Sequence, residues 1–383
     1  MHSLLRYAIH KQEETIQMLK AMVECESPSD APNEVNRLVD LLVEQTREFA
    51  KAKVIRNRMR GNHLLIEFVL PQARKPRKRP APILALGHSD TVWEMGTLRA
   101  MPFRRAEGRL WGPGVLDMKS GIAFLCAACR ALCELDIEVG RKVRLLVVSD
   151  EEVGSETSRA LTEAEAQRSG AVLVLEPGTG LTGKLKTARK GVGDYTIMVR
   201  GKAAHAGVDF LNGASAIVEL ARQIEKVAGF TDLDRGITVN PGIVTGGTRT
   251  NVIAAEARAE VDIRVVRAKD AAPLDRKFRG LKPIDRRCQI TVEGGLNRPP
   301  MERTRAVADL FQRARVIGSE MGMKLEESST GGGSDGNFTA ALGIPTLDGL
   351  GGVGEGAHAL NESILVDRIA DRTALLAGLL AGL

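Results

Sequence analysis

Leu146-Val147-Val148-Ser149-Asp150-Glu151-Glu152-Val153-Gly154-Ser155 decides how this chain is read. A largely aliphatic run, Val143 to Val148 with Arg144 its one charged residue, gives way after Ser149 to three consecutive carboxylates, with a glycine two positions on. The run is rich in β-branched residues and alternates poorly, which is the pattern of a strand buried on both faces. Three acids at the end of such a strand repel one another and lose hydration. A fold holds them there only if protons or cations compensate.

Outward from that strand, apolar strand-like runs and helical periods alternate. Helices are expected over residues 3–23, 34–50, 119–135 and 155–168, and strands near 52–58, 63–70, 83–86, 143–148 and 171–175. This alternation implies a mixed, largely parallel sheet with helices on both faces, an α/β architecture. Ligands of such sheets gather beyond the carboxyl ends of the strands. Between 191 and 301 the order becomes strand–helix–strand–strand–helix–strand, expected at 193–199, 213–228, 237–245, 257–266, 270–280 and 288–293. That is the order of an inserted α+β open-faced sandwich of ferredoxin-like type. The expected division is 1–190 with 302–383 as one domain and 191–301 as the other. The chain then resumes with a helix at 303–321, a strand at 344–347 and a final helix at 365–381.

The ends of the first-domain strands carry the chemistry. Gly87-His88-Ser89-Asp90-Thr91 follows one, Gly114-Val115-Leu116-Asp117-Met118-Lys119 comes after the next turn, and Asp150-Glu151-Glu152 follows another. Glu176-Pro177-Gly178 and Gly354-Glu355-Gly356-Ala357-His358 complete five strand ends, expected on one edge of one sheet. Two imidazoles and several carboxylates without a thiolate suit catalytic zinc, with cobalt or manganese as substitutes. The carboxylates outnumber the needs of one ion, so two ions sharing one carboxylate is the economical arrangement. One residue separates His88 from Asp90, which places the Asp90 carboxylate to hold the far ring nitrogen of His88.

The motifs Gly87-His88-Ser89-Asp90-Thr91-Val92, Asp117-Met118-Lys119-Ser120-Gly121, Asp150 to Ser155 and Lys202-Ala203-Ala204-His205-Ala206-Gly207 together resemble one family. It is the co-catalytic zinc peptidase and amidohydrolase family of glutamate carboxypeptidase, acetylornithine deacetylase, succinyl-diaminopimelate desuccinylase and aminoacylase. Gly331-Gly332-Gly333-Ser334-Asp335 and Gly356-Ala357-His358 extend the likeness, which runs from about residue 20 to the C-terminus. Around the glycine triplet and Asn251 the chain looks most similar to glutamate carboxypeptidase. The resemblance implies two Zn²⁺ per subunit, with Asp117 bridging them, His88 and Glu176 completing one site, and Glu152 and His358 the other. It implies Glu151 as the general base for a zinc-activated water, Asp90 as the partner of His88, and a cis peptide after Asp117. It also implies a homodimer through the inserted domain, with His205 reaching the partner subunit's site to stabilise the oxyanion. Asn251 and Arg264 resemble the family's anchor for a substrate carboxylate, which a planar guanidinium matches with two parallel hydrogen bonds. Arg298 and the backbone near Gly333 are further candidates. The implied reaction is hydrolysis of a small peptide or N-acyl amino acid, a glutamate-carboxypeptidase-like exopeptidase first. An N-acyl amino acid deacylase or desuccinylase is the alternative, and a non-catalytic metal-binding protein a remote one, since every expected ligand position and Glu151 are filled.

Composition narrows the rest. The 383 residues are 43% hydrophobic but 3% aromatic, so the core must be aliphatic. No apolar run approaches membrane-span length, and the N-terminus lacks the apolar segment of a signal peptide, so a cytoplasmic protein without membrane contact is expected. The net charge of +6 is concentrated in Arg74-Lys75-Pro76-Arg77-Lys78-Arg79-Pro80, expected to be an exposed connection. Without interleaved aromatics, that run does not point to nucleic acid. Cys126, Cys129 and Cys133 share one helix face and are expected in the core rather than on a metal. Gly332-Gly333-Ser334-Asp335-Gly336 fits a serine-hydrolase elbow, but only a poor strand is expected before it. Gly349 to Gly354 fits a dinucleotide motif but lacks the helix that must follow.

Overall fold

A computed structural model describes residues 2–72 and 80–383; the basic run, apart from Pro80, lies outside the described residues. The chain divides into two compact units. One is Met1–Ala188, Arg303–Ser329 and Ser334–Leu383; the other is Arg189–Glu302 with Thr330–Gly333.

The first unit is built on a six-stranded sheet. Its order is Ala50–Ile55, His63–Phe68, Val143–Val148, Ile83–His88, Ala171–Val174 and Thr346–Leu347. The last four run parallel, while the first two are antiparallel additions at one edge. Strand Ile83–His88 lies in the middle with all six residues buried. Its side chains alternate between two cores, with Ile83 and Ala85 in one and Leu84 and Leu86 in the other. Both faces are therefore covered, which is why the sequence shows a continuous apolar run instead of alternation. The larger core joins the sheet to helices Gln12–Glu24, Ser120–Glu134 and Ile369–Gly382. Cys126 and Cys129 pack inside it, and all five cysteines are free thiols.

Two local expectations change. The helix expected over 3–23 is two, Ser3–His10 and Gln12–Glu24, because Lys11 leaves helical geometry at ψ 9°. The first packs mainly on the C-terminal helix and the second on Ser120–Glu134. A second small sheet also appears, in the order Gly354–Glu355, Ser363–Leu365, Arg109–Trp111 and Arg104–Ala106, all antiparallel. Its strands are two or three residues long, too short to show a period.

The second unit has the expected element order, Gly191–Arg200, Ala216–Ala228, Thr238–Gly246, Glu256–Val265, Ala268–Arg279 and Gln289–Arg298. The four strands form an antiparallel sheet with Gly191–Arg200 and Glu256–Val265 in the centre. The two helices cover one face over a core that includes Tyr195, Ile197, Leu220, Ala259, Val261 and Phe278. Thr330–Gly333 join this unit through carbonyls. Arg189 Nη1 donates to Gly332 O and Gly333 O (3.1 and 3.0 Å), and Arg264 Nη1 to Gly331 O (3.3 Å).

Candidate active site

Three of the site segments follow central strands of the first unit. His88 is the last residue of Ile83–His88, Glu151 and Glu152 follow Val143–Val148, and Glu176 follows Ala171–Val174. Parallel pairing holds these ends level, with His88 opposite Val148. Asp117 and His358 do not come from that sheet, which corrects the expectation of five ends on one edge. Asp117 lies beyond Arg109–Trp111, and His358 lies in the loop joining Gly354–Glu355 to Ser363–Leu365, both strands of the small antiparallel sheet. Close packing brings the two sheets' loops together. At Gly121 an added Cβ would fall 2.1 Å from Leu175 O, so the helix after Asp117 approaches the strand before Glu176 only because this residue is glycine.

The side chains converge. His88 Nε2 lies 3.3 Å from Asp117 Oδ1 and 3.5 Å from Glu176 Oε1. His358 Nε2 lies 3.4 Å from Asp117 Oδ2 and 3.2 Å from Glu152 Oε2. The two oxygens of Asp117 thus face different imidazoles, each flanked by its own glutamate. Glu151 offers a carboxylate oxygen within 4.8 Å of the ligand atoms of His88 and Glu176. The Asp117–Met118 peptide is cis.

Charge shapes this cluster. Burial works against a charged His88, but hydrogen bonding with Asp117, Asp90 and Glu176 outweighs it and holds its pKa well above the ordinary histidine value. Contact with Asp117 and then Glu152 raises His358 to about 10, against some desolvation. Asp117 is also desolvated, yet the two imidazoles pull its pKa well below the usual carboxylate range. Burial raises Glu152.

The residues fit divalent ions on two counts. Ligands held at about 2.0–2.1 Å in a tetrahedron stand roughly 3.3 Å from one another, close to the 3.2–3.5 Å separations here. Moreover, Glu152 Oε1 is buried without a hydrogen-bond partner, an arrangement a native fold avoids unless something else binds there.

Asp90 does more than the sequence suggested. His88 Nδ1 is closer to the backbone oxygen of Asp90 (2.9 Å) than to its carboxylate (3.5 Å). The carboxylate mainly receives the N–H groups of Glu151 and Glu152 (3.2 Å each) and the Ser29 hydroxyl (2.8 Å). It therefore holds the acidic turn by its backbone. Asp150, first of the three acids, is structural: its Oδ2 accepts the backbone N–H and the hydroxyl of Thr157, both at 2.7 Å. Gly154, at φ +98°, lets the chain turn away after the acids.

Several supporting residues were not singled out from the sequence. His63 is buried with its pKa lowered by desolvation; its Nδ1 accepts the Ser149 N–H (3.2 Å), and its Nε2 faces Thr157 Oγ1 (3.3 Å). Glu362 accepts four N–H groups near Asp117. Neither belongs to a motif, and a lone His or Glu carries no signal of its own.

The remaining candidates lie in the second unit. His205 is exposed, and its Nδ1 accepts the N–H groups of Gly207 and Val208 (3.2 Å each). Asn251 belongs to the same locality, since its carbonyl accepts the Ala206 N–H (2.9 Å). Arg264 and Arg298 lie instead by the glycine stretch, where Gly333 packs against the Arg298 side chain. The Arg264 fork is already engaged by its strand neighbour: Nε and Nη2 donate to the two oxygens of Asp262 at 2.9 and 2.7 Å. A strand, Glu327–Thr330, does precede the Ser334 motif, but Ser334 is buried and its hydroxyl donates to Asp348 (2.8 Å). That is not the exposed nucleophile an elbow requires. No helix among the described residues is long and apolar enough to cross a membrane.

Comparison with known proteins identifies the family. Residues 84–382 match peptidase family M20/M25/M40. The chain is 30% identical over 282 residues to carboxypeptidase G2 of Pseudomonas sp., covering 72% of this chain and 68% of that protein. It is 29% identical over 313 residues to succinyl-diaminopimelate desuccinylase of Cereibacter sphaeroides, covering 74% and 78%. The fold resembles that of an aminopeptidase from Bacillus cereus, with a TM-score of 0.77 at 22% identity over 97% of this chain and 98% of that one.

Proposed function

Because this chain belongs to peptidase family M20/M25/M40, whose members are metal-dependent hydrolases, we propose that it cleaves an amide bond in a small peptide or N-acyl amino acid, as a glutamate-carboxypeptidase-like exopeptidase. The observation that carries the reading is the Asp117 carboxylate, one oxygen toward His88 and the other toward His358. His88 and Glu176 would hold one divalent ion and His358 and Glu152 a second, with Asp117 shared. Zinc suits the donor set, and cobalt or manganese can substitute. When bound, such ions supply Lewis acidity toward a carbonyl and acidify water.

The protein's own groups do the rest. Glu151 is assigned as general base, taking the proton of the attacking water and returning it to the departing amine nitrogen. Its backbone is held by Asp90, which supports a fixed position for that carboxylate. Arg264, Asn251, Arg298 and the Gly333 backbone are assigned to the substrate's carboxylate end. His205 is assigned as donor to the oxyanion, acting in the partner subunit's site of a homodimer. Two features of the second unit support such a dimer: the edge strand Thr238–Gly246 exposes Ile243 and Val244, and helix Ala216–Ala228 exposes Ile217 and Val218.

A deacylase or desuccinylase is the second reading, favoured by the likeness to the desuccinylase over a larger share of both chains. The test is a screen of glutamyl dipeptides, N-acetyl and N-succinyl amino acids, after chelation and return of zinc, cobalt or manganese. Release of C-terminal glutamate supports the first reading, and preference for an acyl amino acid the second. Hydrolysis of none of these, or hydrolysis indifferent to chelator, would remove both.

A further inference from the structure

Glu362 is fully buried, lies outside every motif noted above, and touches no group assigned to substrate. Its Oε1 accepts the N–H groups of Leu116 (2.8 Å) and Asp117 (3.0 Å). Its Oε2 accepts the N–H of Gly114 and the indole N–H of Trp93, both at 2.8 Å. Four donors on one buried carboxylate are charge-assisted bonds and fully occupy the group. Three of the four come from the short turn that ends at Asp117.

The backbone of Glu362 is tied into the loop that carries His358. Both lie in the loop between strands Gly354–Glu355 and Ser363–Leu365. That loop is closed by its own backbone, with Ala359 N–H donating to Gly356 O (2.8 Å) and Glu362 N–H to Ala359 O (2.9 Å). The strand after Glu362 pairs with the strand before the Asp117 turn, Ser363 opposite Trp111. We propose that Glu362 is a positioning residue that locks the Asp117 turn to the His358 loop, so that the shared carboxylate is aimed at both imidazoles before any ion arrives. The reason lies in geometry. Asp117 must serve two ions at once, and a turn free to shift would favour one at the expense of the other. A carboxylate bonded to the Asp117 N–H itself removes that freedom. This inference rests on the metal-centre reading above.

The experiment uses the full chain and Co²⁺ alone as probe, with affinity and visible absorption followed by titration. Three proteins are compared: the natural chain, Glu362→Gln and Trp93→Phe. The amide introduced by Glu362→Gln can accept at only one oxygen and turns an N–H₂ toward donors on the other side. This variant is expected to bind Co²⁺ about tenfold or more weakly, the range for groups that orient metal ligands, with altered absorption bands. Trp93→Phe removes one donor and leaves the turn, so it is expected to match the natural chain. Unchanged Co²⁺ affinity and spectrum in a folded Glu362→Gln protein overturns the proposal. Should that variant not fold, hydrogen exchange in the natural chain decides. Slow exchange of the Leu116 and Asp117 amides without metal supports a turn already locked, and fast exchange that slows only with Co²⁺ overturns it. Absence of Co²⁺ binding by the natural chain would instead remove the metal centre itself, and this inference with it.

Discussion

Replacing Asp90 by Asn separates two jobs that the sequence merges. If the carboxylate serves mainly to orient His88, Asp90→Asn should damage metal binding first. The structure argues otherwise, because the Asp90 backbone oxygen, which the substitution keeps, is the nearer partner of His88 Nδ1 at 2.9 Å. What the substitution loses is one side of a carboxylate holding three donors, Ser29 Oγ and the N–H groups of Glu151 and Glu152. If the Asn oxygen takes the Oδ2 position, Ser29 and Glu152 stay bonded while the Glu151 N–H faces an N–H₂. A buried donor left unpaired costs about 1–3 kcal/mol, equivalent to roughly 5- to 150-fold. That cost falls on the residue assigned as base. The expected outcome is kcat lowered within that range with metal saturating, KM nearly unchanged, and a loss of metal affinity smaller than the roughly 10- to 100-fold typical when a ligand's orienting partner is removed, because the Asp90 backbone oxygen remains. Steady-state kinetics on the substrate found by screening, with a Co²⁺ titration of the same preparation, gives all three numbers. Wild-type kcat in the metal-saturated variant, together with a loss of metal affinity beyond a hundredfold, would refute the assignment of the carboxylate to the Glu151 turn.

Glu151→Gln should retain Co²⁺ affinity while turnover falls by about 10²–10⁴; substantial residual activity would remove Glu151 as the base. Metal affinity should rise with pH from 6 toward 10, because His358, raised to about 10 in the metal-free chain, must lose a proton to bind an ion. Calorimetry in buffers of different ionisation enthalpy would register the released protons, and pH-independent binding would contradict the assignment of His358. The same raised pKa has a stability consequence of fixed sign. Its contribution to the metal-free fold is fully present below the unfolded value near 6.5 and is lost as pH rises through about 10. Thermal melts of the chelated protein across that window should show the decline, and a rising melting temperature attributable to His358 would contradict it. Arg264→Ala should raise KM for substrates with a free carboxylate with little effect on an uncharged ester or amide analogue; an unchanged KM would mean that the fork serves only Asp262.

The strands were legible where burial imposes a pattern. Val143–Val148 and Ile83–His88 are almost wholly buried, and burial on both faces favours the mainly aliphatic runs seen in both, with half-buried Arg144 the one charged exception before His88. The second unit was legible for a different reason: its strands and helices are 9–13 residues long, enough for their periods to register. The small antiparallel sheet was not legible. Strands of two or three residues have no period, and the pairing that joins its two local hairpins, Ser363 opposite Trp111, spans more than two hundred positions.

By itself, then, the order of residues determined which groups were available: two imidazoles, a surplus of carboxylates and no thiolate at segments that end strands. Those are local facts, carried by composition and short spacing. Which oxygen of Asp117 faces which histidine, that the Asp90 carboxylate grips a backbone turn, and that Glu362 clamps another from 245 residues away were decided only by tertiary packing. Directional contacts between distant segments depend on sheet register and loop closure, and neither leaves a periodic trace in the chain.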